Sequence, residues 1–118
     1  MDQQLVAQKL ESLRRCVSRI TSKLPKSVQA LNTDVDAQDI IALNLTRAIQ
    51  ICVDVGAHWL SENSTGDAPK TMGQVFSTLA EQDVISEELA TRLRKPVGFR
   101  NVVVHNYDAV NWSSSDQI

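Results

Sequence analysis

Apolar residues recur three and four apart through most of the chain, and short polar clusters interrupt them at a few places. From Asp2 onward, Leu5, Leu10, Leu13, Val17, Ile20 and Leu24 form a helical stripe that Val6 and Cys16 widen. Pro25 falls where that helix should end, and residues 25–33 form a connector anchored at Val28 and Leu31. A longer second helix starts within Thr33-Asp34-Val35-Asp36, which offers an N-cap and acids for the positive end of the helix dipole. It runs to about Leu60, with Ile41, Leu45, Ala48, Ile49, Cys52, Val55 and Trp59 on its apolar side. Asn44, Arg47, Ile51, Asp54 and His58 form a second stripe that faces solvent or lines a groove. Residues 61–69 are a loop. Thr71 caps a third helix that carries Val75, Phe76, Leu79 and Ala80. After a turn at 83–85, Ser86 caps a fourth, with Glu87 and Glu88 in its first turn. Leu89 and Leu93 lead that helix into residues 100–107, with Pro96 kinking it or marking a junction near Arg94. The run Val102-Val103-Val104 lowers helix propensity and keeps a strand in competition there. The pattern predicts an all-α, up-and-down bundle of four or five helices, with a domain over residues 1–110. Residues 111–118 read as a tail, frayed or replacing a final helix.

Charge adds a zonal picture. Residues 9–26 carry Lys9, Arg14, Arg15, Arg19, Lys23 and Lys26 against Glu11, whereas residues 34–88 hold the acids against Arg47 and Lys70. Residues 89–107 carry Arg92, Arg94, Lys95 and Arg100 with no acid. A formal net charge of −2 gives no bulk attraction to nucleic acid, but the last zone can make local phosphate contacts. Cys16 and Cys52 are isolated on apolar faces and read as free thiols of a reducing compartment. Two histidines and no cysteine pair at ligand spacing argue against a metal site. No stretch reads as a membrane span and the N-terminus lacks a signal pattern, so the expected location is cytoplasmic.

The chemistry concentrates in Arg100-Asn101-Val102-Val103-Val104-His105-Asn106-Tyr107. On a continuous helix, Arg94, Gly98, Asn101, His105 and Asp108 share one face, and Arg100, Val104 and Tyr107 share its neighbour. Arg100 and His105 then lie roughly 140° apart, flanking a groove with Asn101 between them. Val97, Val102, Val103 and Val110 would dock the helix. An imidazole titrates near neutrality and can take a 2′-hydroxyl proton or protonate a leaving oxygen. A guanidinium can hold the scissile phosphate through two N–H groups. One histidine does not serve as base and acid at once, but a symmetric dimer supplies two, and Gly98 would allow close backbone approach.

The spacing Arg100-x4-His105-x-Tyr107 resembles the signature of the HepT-like branch of the HEPN superfamily. Asn44-Leu45-x-Arg47-Ala48-Ile49-Gln50, with Asp54 and His58, is similar to that family's long second helix. Thr71-Met72-x-x-Val75-Phe76-x-x-Leu79, then Val84-Ile85-x-x-Glu88-Leu89, resemble the family's next segment. Lys95-x-Val97-Gly98-x-Arg100-Asn101 resembles its approach to the signature. The resemblance implies a homodimeric toxin of a toxin–antitoxin pair that cuts RNA without a metal in a cleft between protomers. It implies catalytic roles for Arg100 and His105, with Asn101, Asp54 and Arg47 as auxiliary cleft residues. It further implies an MntA-type nucleotidyltransferase partner, which uses ATP and Mg²⁺ to attach AMP to Tyr107. The chain itself would need no cofactor. Family members continue into a further apolar helix after the tyrosine, where this chain has a short serine-containing tail. An inactive HEPN scaffold, or an accessory substrate-binding subunit of a nucleotidyltransferase, is the alternative function.

Overall fold

The computed structural model describes residues 3–113. They form six α-helices: α1 Gln3–Lys23, α2 Val28–Thr33, α3 Val35–Asn63, α4 Met72–Glu81, α5 Glu87–Arg92 and α6 Arg94–His105. A 3₁₀ turn, Tyr107–Ala109, comes after them. The all-α prediction holds. The connector at 25–33 is itself a short helix, capped by Ser27, whose hydroxyl accepts from Ala30 N–H.

Caps set the helix starts where polar residues foretell them. Asp34 Oδ1 accepts from Ala37 N–H at 3.0 Å, Thr71 Oγ1 from Gln74 N–H at 3.2 Å, and Ser86 Oγ from Leu89 N–H at 3.0 Å. Each satisfies one of the amides that a helix N-terminus leaves without a partner. Asp34 also ends α2, and Gln38 Nε2 ties the joint by donating to Leu31 O and Asn32 O.

Helix α3 is the axis of the bundle. Its 29 residues span about 43 Å, close to the 47 Å long dimension of the molecule. It contacts α1, α2, α4 and α6. An 18-residue window within it reaches a mean hydropathy of 1.4. This corrects the expectation that no stretch approaches a membrane span: α3 does so by length and composition, because it packs against neighbours on several sides.

Two apolar clusters hang on α3. The first joins Leu31, Ala37, Ile41 and Ala42 to Phe99, Val110 and Trp112. The second joins Ile49 and Leu60 to Val75, Phe76, Leu79 and Val97. Gly56 lets α4 approach α3 closely, since a Cβ there would sit 2.8 Å from Leu79 Cδ1 and 3.0 Å from Val75 Cγ1. Packing continues past the boundary expected at 110: Trp112 is buried and meets Phe99 edge to face, ring centroids 5.6 Å apart. The remainder of the expected tail, 114–118, lies outside the described residues.

Some faces differ from the periodic reading. On α1, Cys16 is buried and Leu13 and Ile20 are half-buried, but Leu5, Leu10 and Val17 are exposed, as is Leu24 just past its end. Trp59 of α3 is also exposed, whereas Asn44, on the stripe read as facing solvent or lining a groove, is buried at the α1–α3 groove with its Nδ2 donating to Ile40 O at 2.8 Å. Cys16 and Cys52 are free thiols, and burial pushes the Cys52 thiol up.

Candidate active site

Helix α6 is set by its two ends. Leu93 closes α5 and opens α6 with φ −73° and ψ −11°, so the chain turns there without leaving helical space. Pro96 falls in the first turn of α6, where the missing N–H is not needed. The junction expected near Arg94 is therefore real. Val97 and Phe99, about 200° apart around the helix, are buried on opposite sides of it, one in each core cluster.

The other end corrects the sequence reading. The helix stops at His105; Asn106 takes φ −159° and ψ 81°, and its N–H donates to Val102 O at 2.8 Å. Tyr107 and Asp108 thus do not extend the faces of α6 but lie in a 3₁₀ turn of their own. The expected sharing of a helical face by Arg100, Val104 and Tyr107, and by Asn101, His105 and Asp108, fails for that reason. Val110, buried just beyond, and Trp112 pull the chain back onto the core.

Arg100 is half-buried. Its Nη1 donates to Asn101 Oδ1 at 3.3 Å, and its Nε is sheltered from solvent without a hydrogen-bond partner among the described residues. A buried donor left unpaired costs roughly 1–3 kcal/mol, more when charged. His105 is exposed at the last position of α6. Within one chain the pair is separated by roughly 140° around the axis and about 7.5 Å along it. Asn101 lines a cavity of about 430 Å³ with Arg94, Gly98, Thr71, Gln74 and Glu87. This is the expected Arg94/Gly98/Asn101 face.

The α3 candidates lie elsewhere. Arg47 lines a groove of about 610 Å³ between α1 and α3, with Arg15, Arg19, Asn44 and Gln50. Asp54 sits 3.9 Å from Lys9 Nζ and accepts from Gln50 Nε2 at 2.9 Å. His58 pairs with Glu62 one turn on, at 2.9 Å. Neither of these two cavities joins Arg47 or Asp54 to the Asn101 face.

Tyr107 has a partner that no local pattern announces. Its hydroxyl donates to Asp39 Oδ1 on α3 at 2.6 Å, across 68 residues of sequence. Its ring lies 6.4 Å from that of Trp112, tilted by 48°. Desolvation, with the Asp39 hydrogen bond and charge behind it, raises the phenol well above its ordinary range.

A sequence profile described as Ribonuclease HepT-like matches residues 11–117. The chain belongs to this family. It is therefore a ribonuclease with a HEPN-type fold. Among curated relatives of this HepT-like chain is the mRNA nuclease HepT of Shewanella oneidensis, 31% identical over 107 residues, covering 91% of this chain and 79% of the relative. The tri-AMPylated Shewanella oneidensis HEPN toxin, solved in complex with an MNT antitoxin, superposes with a TM-score of 0.81 at 31% identity. That match covers 94% of this chain and 81% of the toxin. A toxin–antitoxin structure solved with AMP-PNP gives 0.80 at 30% identity, covering 94% and 82%.

Proposed function

We propose that this HepT-like chain is the toxin of a toxin–antitoxin pair, a homodimeric, metal-independent RNA endonuclease silenced by AMPylation of Tyr107. The observation that carries the reading is the disposition of α6: Arg100 is half-buried, its Nε without a partner among the described residues, and His105 stands exposed at the end of the same helix. One chain spreads the two apart. Two copies with their α6 helices facing would give a cleft with two guanidiniums and two imidazoles. Val104, exposed between Arg100 and His105, and the open space over Gly98 suit such a face.

In that cleft one imidazole takes the proton of a ribose 2′-hydroxyl as its oxygen attacks the adjacent phosphorus. The second imidazole, protonated, gives a proton to the departing 5′-oxygen. The products are a 2′,3′-cyclic phosphate and a free 5′-hydroxyl. Arg100 neutralises charge that grows on the phosphoryl oxygens, and Asn101 steadies the guanidinium. AMP on Tyr107 adds phosphate charge two residues from His105 and repels the RNA backbone. The relatives support this reading: one is named an mRNA nuclease, and a solved neighbour is AMPylated and bound to an MNT antitoxin. By the same reading, ATP and Mg²⁺ belong to the antitoxin partner; Arg47 and Asp54, set apart from the Asn101 face, are given no part in the cut.

The test is RNA cleavage in EDTA by wild type, Arg100→Ala and His105→Ala. Each substitution is expected to slow cleavage by about 10²–10⁴ without changing the protein's size in solution. Cleavage by wild type should vanish after treatment with the nucleotidyltransferase and Mg²⁺-ATP, in step with AMP mass on Tyr107. An unmodified, dimeric wild type that leaves RNA intact would refute the reading.

A further inference from the structure

A side-chain hydrogen bond joins the 3₁₀ turn to α3. Tyr107 is only partly buried, at 36% exposure. Two groups fix it. Trp112 braces the ring, and Trp112 is itself held on Phe99 of α6. Asp39, exposed on α3, accepts the phenolic hydrogen at 2.6 Å. That hydrogen is the only one the oxygen has. Directing it at Asp39 leaves both lone pairs of Oη facing away from the carboxylate. A nucleophile within hydrogen-bond reach of a carboxylate, with the base placed ahead of time by the fold, is the arrangement required of an activated hydroxyl.

We infer that Asp39 is the general base for AMP transfer to Tyr107, so that the toxin supplies part of the catalytic machinery for its own silencing. The inference rests on the reading of Tyr107 as the modified residue. In the step, Tyr107 Oη attacks the α-phosphorus of a nucleoside triphosphate brought by the nucleotidyltransferase. The Oη–P bond forms as the bond from phosphorus to the bridging oxygen breaks, and pyrophosphate leaves. The phenolic proton passes to Asp39 Oδ1 and from there to solvent, since Asp39 is exposed. Further nucleotides, added to the hydroxyls of the first, lie beyond the reach of Asp39 and do not depend on it.

Asp39→Asn separates proton transfer from mere positioning. An Asn side-chain oxygen still accepts the phenolic hydrogen bond, and the side chain keeps its shape, but it does not take the proton. The rate of first AMP addition would be followed by intact mass at saturating cognate nucleotidyltransferase and Mg²⁺-ATP, with Tyr107→Phe as the blank. Folding would be checked by circular dichroism. Asp39→Asn is expected to slow that addition about 10²-fold. Asp39→Glu, which keeps a proton acceptor, is expected to be faster than Asp39→Ala and carries the test if the Asn variant misfolds. A loss of less than tenfold in a folded Asp39→Asn protein, or equal rates for the Glu and Ala variants, overturns the assignment. A wild type that gains no AMP on Tyr107 instead sinks the silencing reading beneath it.

Discussion

Replacing Trp112 with alanine tests whether the segment after the motif is part of the machine or an appendage. Trp112 is 8% exposed and sits in the cluster with Leu31, Ile41, Phe99 and Val110. A buried tryptophan removes about 150–250 Å² from water, which at ~25 cal/mol/Å² is roughly 4–6 kcal/mol as an upper bound. Measured Trp-to-Ala losses in cores run at about 3–5 kcal/mol, and the edge-to-face contact with Phe99 falls within that figure. Against a total stability of about 5–15 kcal/mol, this is a large fraction. Urea unfolding followed by circular dichroism, at several protein concentrations to account for self-association, should show the midpoint falling by roughly 2 M. A Trp112→Leu, Phe99→Leu double-mutant cycle should return a coupling of about 0.5–1.5 kcal/mol. A loss below about 1 kcal/mol for Trp112→Ala would refute the reasoning, because the 3₁₀ turn would then be held without its brace.

Three further outcomes rest on named contacts. Gly56→Val should lower stability by about 1–3 kcal/mol, read as a fall in the thermal midpoint, because its side chain enters space already held by Leu79 and Val75; Gly56→Ala should cost less, since helix propensity returns about 1 kcal/mol. Asp34→Ala should cost about 1 kcal/mol in urea, since it removes the acceptor for Ala37 N–H at the start of α3. The raised phenol of Tyr107 means that the folded state holds its proton to higher pH than the unfolded state does. Its stabilising contribution is full below the ordinary value of 10.0 and is lost as pH rises above it. Tyr107→Phe should therefore show a shallower decline of thermal midpoint in alkaline buffer than wild type.

Helix starts were legible because Asp34, Thr71 and Ser86 declare themselves locally, through side chains that bond to amides three residues on. Helix α6 was legible at its Leu93 junction, where Pro96 signals a first turn. Its C-terminus was not, because no glycine or proline comes after His105; tertiary packing of Val110 and Trp112 ends it. The same holds for the site. The Arg100–His105 spacing is local and was visible, whereas the Tyr107–Asp39 bond joins residues 68 apart and depends on where α3 passes. Asp39 carried no sequence signal. Periodicity also named Leu10 and Val17 as apolar but does not say what covers them, and α3 leaves them exposed.

The first core cluster has a bearing on timing. A ribosome makes Arg100 and His105 before it makes Val110 and Trp112, yet these two later residues close the core over that end of α6. A growing chain that already carries the arginine and the histidine still lacks the side chains that fix their helix in place. On the proposed assignment of Arg100 and His105 as the cutting pair, this order is protective: the message is read past the motif before the blade it encodes is set.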